Sequence, residues 1–544
     1  MKNWRINLIF TFFILFSAVL IGRLIYIQIL QADFYKALAQ GFLNLPEKTQ
    51  LERGEIFLKN GEPLAVNKDF SLVFATPSKV KNPEETSQIL SEILSLNKNF
   101  VLEALEKETL YSPIKNRLSE EETQALKNLN LPGIYLSEER GRYYPQETLV
   151  SQLIGFLGAE GIGQYGLEEY YDEVLRGKRD NSAPDLILTL DYNIQFRAEK
   201  LLEKAKENLE IEGGQIIVMN PNSGAIIALA HFPNFNPNQY QECAKSGSLE
   251  IFRNKATRDF FEPGSVFKSI TMAAGLNEEL ITPTTKYVDE GYVKIGGYTL
   301  YNYNNRVWGE ETMTRVLENS INTGAVFVQK LLPNNIFLDY IEKFGIFEKT
   351  GIDLPESYSE NKEFKKGYEV NFATASFGQG IEMTPIQLVK AYSAIANAGK
   401  LVKPYLVDPP PLLNNTESSS SDKEPKSGGG QVISQKTASQ LTAMLVNVVE
   451  NGSARRAKIP GYYIAAKTGT AQIAFSALGI AKPGYSEKTI QTVVGFFPAF
   501  SPQFLILVKL DNPKTRVAEY SAVPIFKDLA EYIIYQYQIP PDYE

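Results

Sequence analysis

An uncharged apolar run near the N-terminus constrains this chain more than any other feature. Lys2 and Arg5 precede a stretch from Ile6 to Gly22 that carries no charge; Arg23 interrupts it, and apolar residues resume from Leu24 to Leu30. Counted through Arg23, whose long side chain can snorkel to an interface, the segment is long enough to span a bilayer. Trp4 and Tyr26 suit interfacial anchoring. The competing reading is a cleaved signal peptide. Against it, no small-x-small cleavage site closes the run, and the apolar stretch exceeds a signal h-region. An uncleaved anchor is expected, with Lys2 and Arg5 holding the N-terminus in the cytoplasm. No later segment is apolar for long enough to span, so everything after about Gln31 is expected outside.

Two counts exclude whole classes of chemistry. The one cysteine, Cys243, permits neither an intramolecular disulfide nor a zinc site of several thiolates. The one histidine, His231, would have to serve any Ser-His-Asp triad or imidazole-ligated metal. It follows the apolar run Ile226 to Ala230 and precedes Phe232 and Pro233, which reads as a strand end entering a loop. A packed or surface histidine is expected there. Proton transfers in an enzyme of this composition fall to Lys, Ser, Asp or Glu. Net charge −8 and a pI near 5.3 advertise no basic face for nucleic acid.

The 544 residues after and including the anchor allow about two to four domains. Residues 31–190 read as a mixed module, with helical stretches at Asn82–Ser95 and Ser119–Leu129 and a strand-like run at Phe70–Ala75. Residues 191–544 form a second region. It opens with a charged helix, Gln195–Leu209, followed by two apolar runs, Gln215–Met219 and Ala225–Ala230, around an Asn220–Gly224 turn, the pattern of a β-hairpin. Long helical patterns follow, then strands near Tyr463–Ala466, Thr492–Phe497 and Phe504–Leu510. Hairpin, helices and hairpin predict an α+β fold with an antiparallel sheet and flanking helices. Pro409 to Gly430, with a triple Pro, a Ser run and Gly428–Gly430, is expected to be a disordered insertion in that region.

Three motifs carry chemistry. In Glu262-Pro-Gly-Ser265-Val-Phe-Lys268 a turn opens an apolar helix, and the i, i+3 spacing lets Lys268 reach the Ser265 hydroxyl. A serine at a helix start has the dipole nearby, and a lysine of lowered pKa can be its base. Alone the pattern is weak, since Ser78–Lys81, Ser95–Lys98, Ser112–Lys115, Ser359–Lys362 and Ser420–Lys423 also match. Only Ser265 combines a preceding hairpin, a Pro-Gly turn and an apolar helix. Ser320-Ile-Asn322 sits in a polar stretch between helical patterns, where a hydroxyl and a carboxamide can face one pocket. Lys467-Thr-Gly-Thr470 follows a strand; Gly469 is expected to leave room for substrate backbone, Thr468 and Thr470 to offer hydroxyls to a carboxylate, and Lys467 to add positive charge. A second Lys-Thr-Gly, Lys349 to Gly351, lies before Ile352-Asp-Leu-Pro and lacks the second Thr.

Serine-x-x-lysine, serine-x-asparagine and lysine-threonine-glycine, in that order, resemble the signature set of the penicillin-recognising serine enzymes. Further stretches resemble the class B penicillin-binding proteins: Arg53-Gly-Glu-Ile-Phe-Leu-Lys-Asn-Gly61 with Leu64-Ala65, Arg140-Gly-Arg-Tyr-Tyr-Pro145, Gly155-Phe156, Gly166-Leu-Glu168, Leu175-Arg-Gly177, Phe377-Gly-Gln-Gly380 and Thr384-Pro-Ile-Gln387. The first box departs from the family, which usually has Asp in the stretch filled by Leu58 and Lys59. The resemblance implies a membrane helix (residues 1–30), an elongated pedestal or dimerisation-like module (31–190) and a C-terminal serine transpeptidase domain (191–544). No glycosyltransferase module is expected, because the class B boxes fill the first module.

What the resemblance implies for chemistry is a peptidoglycan D,D-transpeptidase that penicillin acylates. Ser265 would attack the penultimate D-Ala carbonyl of a stem peptide, with Lys268 as its base. Ser320 would carry the proton to the leaving amine, supported by Lys467. Asn322 would bind the substrate amide, Thr468 and Thr470 the terminal carboxylate, and backbone N–H groups of Ser265 and Thr470 would form the oxyanion hole. No metal or organic cofactor is implied. Implied partners are D-Ala-D-Ala stem peptides, β-lactams, the membrane, a polytopic glycan polymerase of the shape, elongation, division and sporulation (SEDS) family and other divisome proteins. Phe261-Glu-Pro-Gly-Ser-Val-Phe-Lys and Ser376-Phe-Gly-Gln-Gly look more like the septal than the elongation type. A D,D-carboxypeptidase, a β-lactam sensor and an inactive scaffold share the motifs and rank below the transpeptidase; sensors usually carry several spanning segments, and here one is expected.

Overall fold

The computed structural model describes residues 4–32, 35–36, 39, 53–177, 183–409 and 430–544. The low-complexity insertion, at 410–429, lies outside the described residues. The rest divides into two compact units, one of residues 1–53 and 66–143, the other of 54–65 and 144–544.

In the first unit the apolar run forms the helix Trp4–Ile25, continued by a wider turn over Tyr26–Leu30. The described apolar side chains of Trp4–Ile25 are exposed, as befits a helix whose solvent is lipid. Among the described residues it is the one helix long and apolar enough to cross a membrane. The remaining residues build a small α/β body. The strand Pro63–Ala75 pairs antiparallel with Ile134–Tyr143 and with Ser112–Lys115. The helices Pro83–Leu94, Lys98–Leu105 and Glu120–Leu129 add Leu90, Leu94, Val101 and Leu126 to a core centred on Val73. Local caps fix their starts: Asn97 accepts from two backbone N–H groups, and Ser119 with Glu122 forms a capping box, each cap worth about 1 kcal/mol.

The second unit is built on a sheet. Among the described residues it has five antiparallel strands in the order Ala465–Ala474, Tyr485–Phe497, Phe504–Asp511, Gly213–Met219, Ile226–Phe232. Of the three inner strands, Phe504–Asp511 and Gly213–Met219 are buried almost throughout, which requires cover on both faces and explains their largely apolar sequence. The helices Tyr192–Leu209 and Ala522–Tyr537 supply one layer; Pro385–Ala396, Gln435–Asn451 and Lys268–Asn277 supply the other. This is the α+β architecture expected from the sequence.

The Thr384-Pro-Ile-Gln387 motif turns out to be a helix start. Thr384 and Gln387 form a capping box, Pro385 occupies the first helical position, and every residue of Pro385–Ala396 is buried. Gln387 also donates to the carbonyls of Ile346 and Glu348, anchoring the preceding loop. The second Lys-Thr-Gly is satisfied internally. Its Thr350 hydroxyl and the N–H groups of Thr350 and Gly351 hold the Glu356 carboxylate at 2.8–2.9 Å.

Candidate active site

Ser265 lies in the tight turn Gly264–Phe267 that runs directly into the helix Lys268–Asn277. Two glycines make that turn possible. Gly264 has φ +59°, and its N–H donates to the Gly378 carbonyl at 3.0 Å. Gly378 has φ +80°, and a Cβ there would fall 2.1 Å from the Gly264 oxygen. The Phe377-Gly-Gln-Gly380 segment is thus seated backbone to backbone against the serine turn. From beneath, the buried Tyr392 hydroxyl donates to the Val266 carbonyl at 2.7 Å.

Lys268 is fully buried one helical turn beyond Ser265. Its Nζ lies 3.1 Å from Ser265 Oγ, 2.6 Å from the Ser320 carbonyl, 2.8 Å from Asn322 Oδ1 and 3.2 Å from Ser320 Oγ. Carbonyl oxygens only accept, so a neutral amine spends its two hydrogens on the two nearest and turns its lone pair toward Ser265. Burial favours that neutral form and holds the lysine well below its usual range; the charge of Lys467 pushes the same way.

Ser320 occupies the turn between the helices Met313–Glu318 and Asn322–Leu331 with φ +55°, a conformation that costs a non-glycine residue about 1–3 kcal/mol. The turn aims its hydroxyl between two lysines, since Lys467 Nζ donates to it at 3.0 Å. Lys467 sits on the edge strand Ala465–Ala474, fully buried, and burial draws its pKa down to about 7.

Alternation along that strand puts Lys467 and Gly469 on one face and Thr468 and Thr470 on the other. A Cβ on Gly469 would meet the Pro263 carbonyl at 2.7 Å and Val266 Cγ1 at 3.2 Å. The missing side chain therefore admits the serine turn, not substrate backbone as the sequence suggested. On the opposite face Thr468 Oγ1 lies 3.0 Å from Ser453 Oγ, and Thr470 Oγ1 accepts from the Ala518 N–H, which leaves its own hydrogen to offer.

The arrangement is a relay of hydroxyl, amine, hydroxyl and amine in which each neighbour is within 3.0–3.2 Å. It can activate a serine, pass a proton and hold an anion. A model of the penicillin binding protein transpeptidase domain matches residues 214–531, more than half of the chain. The chain belongs to the penicillin-binding proteins. A model of the penicillin-binding protein dimerisation domain matches residues 48–183. Stage V sporulation protein D of Bacillus subtilis is 32% identical over 543 residues, covering 94% of this chain and 82% of that protein. Peptidoglycan D,D-transpeptidase FtsI of Escherichia coli K12 is 26% identical over 580 residues, covering 99% and 93%. A crystal structure of penicillin binding protein 3 from Mycobacterium tuberculosis complexed with aztreonam superposes with a TM-score of 0.68 at 25% identity, covering 90% of this chain and 97% of that one.

Three places in this penicillin-binding protein thus meet: the Ser265 turn with the helix start at Lys268, the Ser320 turn with the helix start at Asn322, and the strand residues Lys467–Thr470. The decoys do not join them. Ser95 is a left-handed helix cap and Ser359 contacts Glu382; Ser420 lies outside the described residues. His231 is buried in the strand Ile226–Phe232, accepts from the Ala256 N–H at 3.3 Å and is kept neutral by burial, with its pKa near 3. Some groups beside the site were given no role from the sequence. Glu262, inside the first motif, accepts from the Gly380 N–H and the Tyr485 hydroxyl, and burial raises its pKa to about 7. Ser453 and Tyr485 belong to no motif and are found only through the fold.

Proposed function

We propose that this penicillin-binding protein is a peptidoglycan D,D-transpeptidase acting in cell-wall synthesis at division. The carrying observation is the unbroken series from Ser265 Oγ through Lys268 Nζ and Ser320 Oγ to Lys467 Nζ. Ser265 Oγ adds to the carbonyl carbon of the penultimate D-Ala while its proton passes to Lys268. The tetrahedral oxyanion lies against the N–H groups of Ser265 and Thr470. The close packing of Gly264 on the Thr470 backbone, 3.4 Å from a Cβ position to the carbonyl, supports that pairing. Collapse breaks the peptide bond. Ser320 passes its proton to the departing D-Ala amine and takes in exchange the one Lys268 holds, while the charge of Lys467 steadies the hydroxyl between them. An amine of a second stem then attacks the acyl carbon and gives up a proton through Lys268 to Ser265 Oγ as the ester bond breaks, which frees Ser265. Asn322 holds the substrate amide; Thr468 and Thr470 hold the terminal carboxylate.

The same reading extends to location and partners. Lys2 and Arg5 keep the N-terminus in the cytoplasm, so the catalytic unit lies outside the cytoplasmic membrane. Glycan strands come from a polytopic polymerase of the SEDS family, with which the anchor packs. Labelling with a fluorescent penicillin, followed by mapping of the adduct, tests the acyl-enzyme. The adduct is expected on Ser265 and lost in a folded Ser265→Ala variant. An adduct on any other serine sinks the assignment.

A further inference from the structure

The residue that starts the Asn322–Leu331 helix has no cap of its own. The preceding position, Ile321, bears no side-chain oxygen. The first N–H groups of a helix need acceptors when buried. Here they are met from a distant loop: Asn302 Oδ1 accepts from the N–H of Asn322 at 3.0 Å and of Thr323 at 3.1 Å. The next residue back completes the grip, since the Tyr301 carbonyl accepts from Asn322 Nδ2 at 3.0 Å. That bond fixes the amide so that Oδ1 points at Lys268.

Asn302 is itself clamped. Its Nδ2 donates to both oxygens of Asp289, at 3.0 and 2.9 Å, and to the Arg306 carbonyl at 3.1 Å. Asp289 and Asn302 are 2% and 4% exposed. The Asp289 carboxylate collects further donors: the Gly291 N–H at 3.0 Å, the Trp308 N–H at 2.9 Å and the Thr323 hydroxyl at 2.6 Å. A buried carboxylate met by this many donors locks the groups around it. The bonds that join Asp289 to Asn302, Gly291 and Thr323 are buried, and those to the Arg306 carbonyl and the Trp308 N–H are half-buried. They reach the site through Asn322.

We propose that Asp289 and Asn302 are a positioning pair that sets the orientation of Asn322, and through it the acceptor geometry around Lys268. The pair rests on the acyl-enzyme reading above and deepens it. It acts by capping the helix and presenting the Tyr301 carbonyl, so that Asn322 keeps one rotamer in the free enzyme. Misplacing a catalytic group by about 1 Å costs on the order of 100-fold in rate.

The test compares Asn302→Ala, Asn302→Asp and the exchanged pair Asp289→Asn with Asn302→Asp. Second-order acylation by fluorescent penicillin, its pH profile and Tm are measured for each. Asn302→Ala is expected to acylate at least about tenfold more slowly. Its low-pH limb is expected to move to lower pH, because losing the Asn322 acceptor penalises the lysine ammonium more than the amine. Loss of folded protein alone would lower Tm without moving that limb. Asn302→Asp sets two carboxylates face to face and is expected to be slower still. The exchanged pair restores an amide donating to a carboxylate that still accepts both N–H groups, but it sets a carboxylate oxygen against the Arg306 carbonyl and an amide NH2 against the Gly291 or Trp308 N–H, so it should be faster than Asn302→Asp and slower than the parent. Acylation of Asn302→Ala within twofold of the parent, or an exchanged pair that folds but is no faster than Asn302→Asp, overturns the pair. Should Asn302→Ala not fold, Asn302→Gly, which also lacks the acceptor oxygen and leaves room for water at the Asp289 carboxylate, is judged by the same limits. A parent that penicillin leaves unlabelled at Ser265 overturns the acyl-enzyme reading, and the pair with it.

Discussion

Lys268 and Lys467 are two buried amines that share one hydroxyl, Ser320 Oγ, at 3.2 and 3.0 Å. Their tasks require opposite protonation states. Lys268 needs a free lone pair to take the Ser265 proton, and burial favours its neutral form. Lys467 needs its charge, and burial brings its pKa to about 7. Acid protonates Lys268 and slows acylation; a rise in pH through about 7 discharges Lys467 and slows it again. A bell-shaped profile is expected, its two apparent pKa values belonging to the coupled pair. Arg does not lose its charge, so Lys467→Arg, if it folds, should lack the upper limb. A parent rate that climbs steadily to high pH would show that the Lys467 charge is not used. Lys268→Ala should lower the acylation rate by ~10²–10⁴, the usual effect of losing a general base. Unchanged acylation in that variant would mean another group activates Ser265. Both lysines were legible in the sequence because each belongs to a short motif. Asp289 and Asn302 were not, since neither residue type nor spacing marks a cap supplied from 20 residues upstream of Asn322.

Elements follow the same division between near and far. The hairpin strands and the Pro83–Leu94 and Glu120–Leu129 helices fall where periodicity and caps put them, because those signals are local. The charged helix begins three residues before Gln195, at Tyr192, because Asp191 caps it. The third motif was expected to follow a strand ending at Ala466; the strand in fact spans Ala465–Ala474 and carries Lys467–Thr470 in its middle. Short strands such as Tyr292–Ile295 and Tyr298–Tyr301 escaped notice, being too short to show a period. What holds the elements in register is long-range: Tyr485 reaches Glu262 across 223 positions, a contact no window along the chain can reveal. Gly469 is where this matters for activity. In Gly469→Ala the new methyl meets the Pro263 carbonyl at 2.7 Å, a backbone atom that cannot rotate aside. Overpacking of this kind costs about 1–3 kcal/mol, and the same push displaces the Ser265 turn. A lowered Tm with at least about tenfold slower acylation is expected. Unchanged acylation would show that the turn tolerates the shift.

At the scale of the molecule, anchoring and chemistry draw on separate stretches of chain. Each site group, from Glu262 to Ala518, belongs to the second compact unit, and its sheet and helices bury a continuous core. The helix Trp4–Ile25 buries none of its described apolar side chains in protein, so its favourable environment is lipid. The apolar run was the plainest feature of the sequence because a membrane span needs no partner to be recognised. The two functions should therefore come apart when the chain is cut. A chain starting at about Gln31 is expected to leave the membrane fraction and yet to acylate with fluorescent penicillin at a rate within about twofold of the parent, since no general base, hydroxyl or cap is removed. Fractionation and stopped labelling reactions read the two outcomes independently. Loss of labelling in the shortened, folded chain would show that the anchor supports the site. The same chain should no longer co-purify with the polytopic polymerase proposed as partner, because helix packing within the bilayer goes with the anchor. Co-purification that survives the cut would move that contact out of the membrane and onto the exterior units.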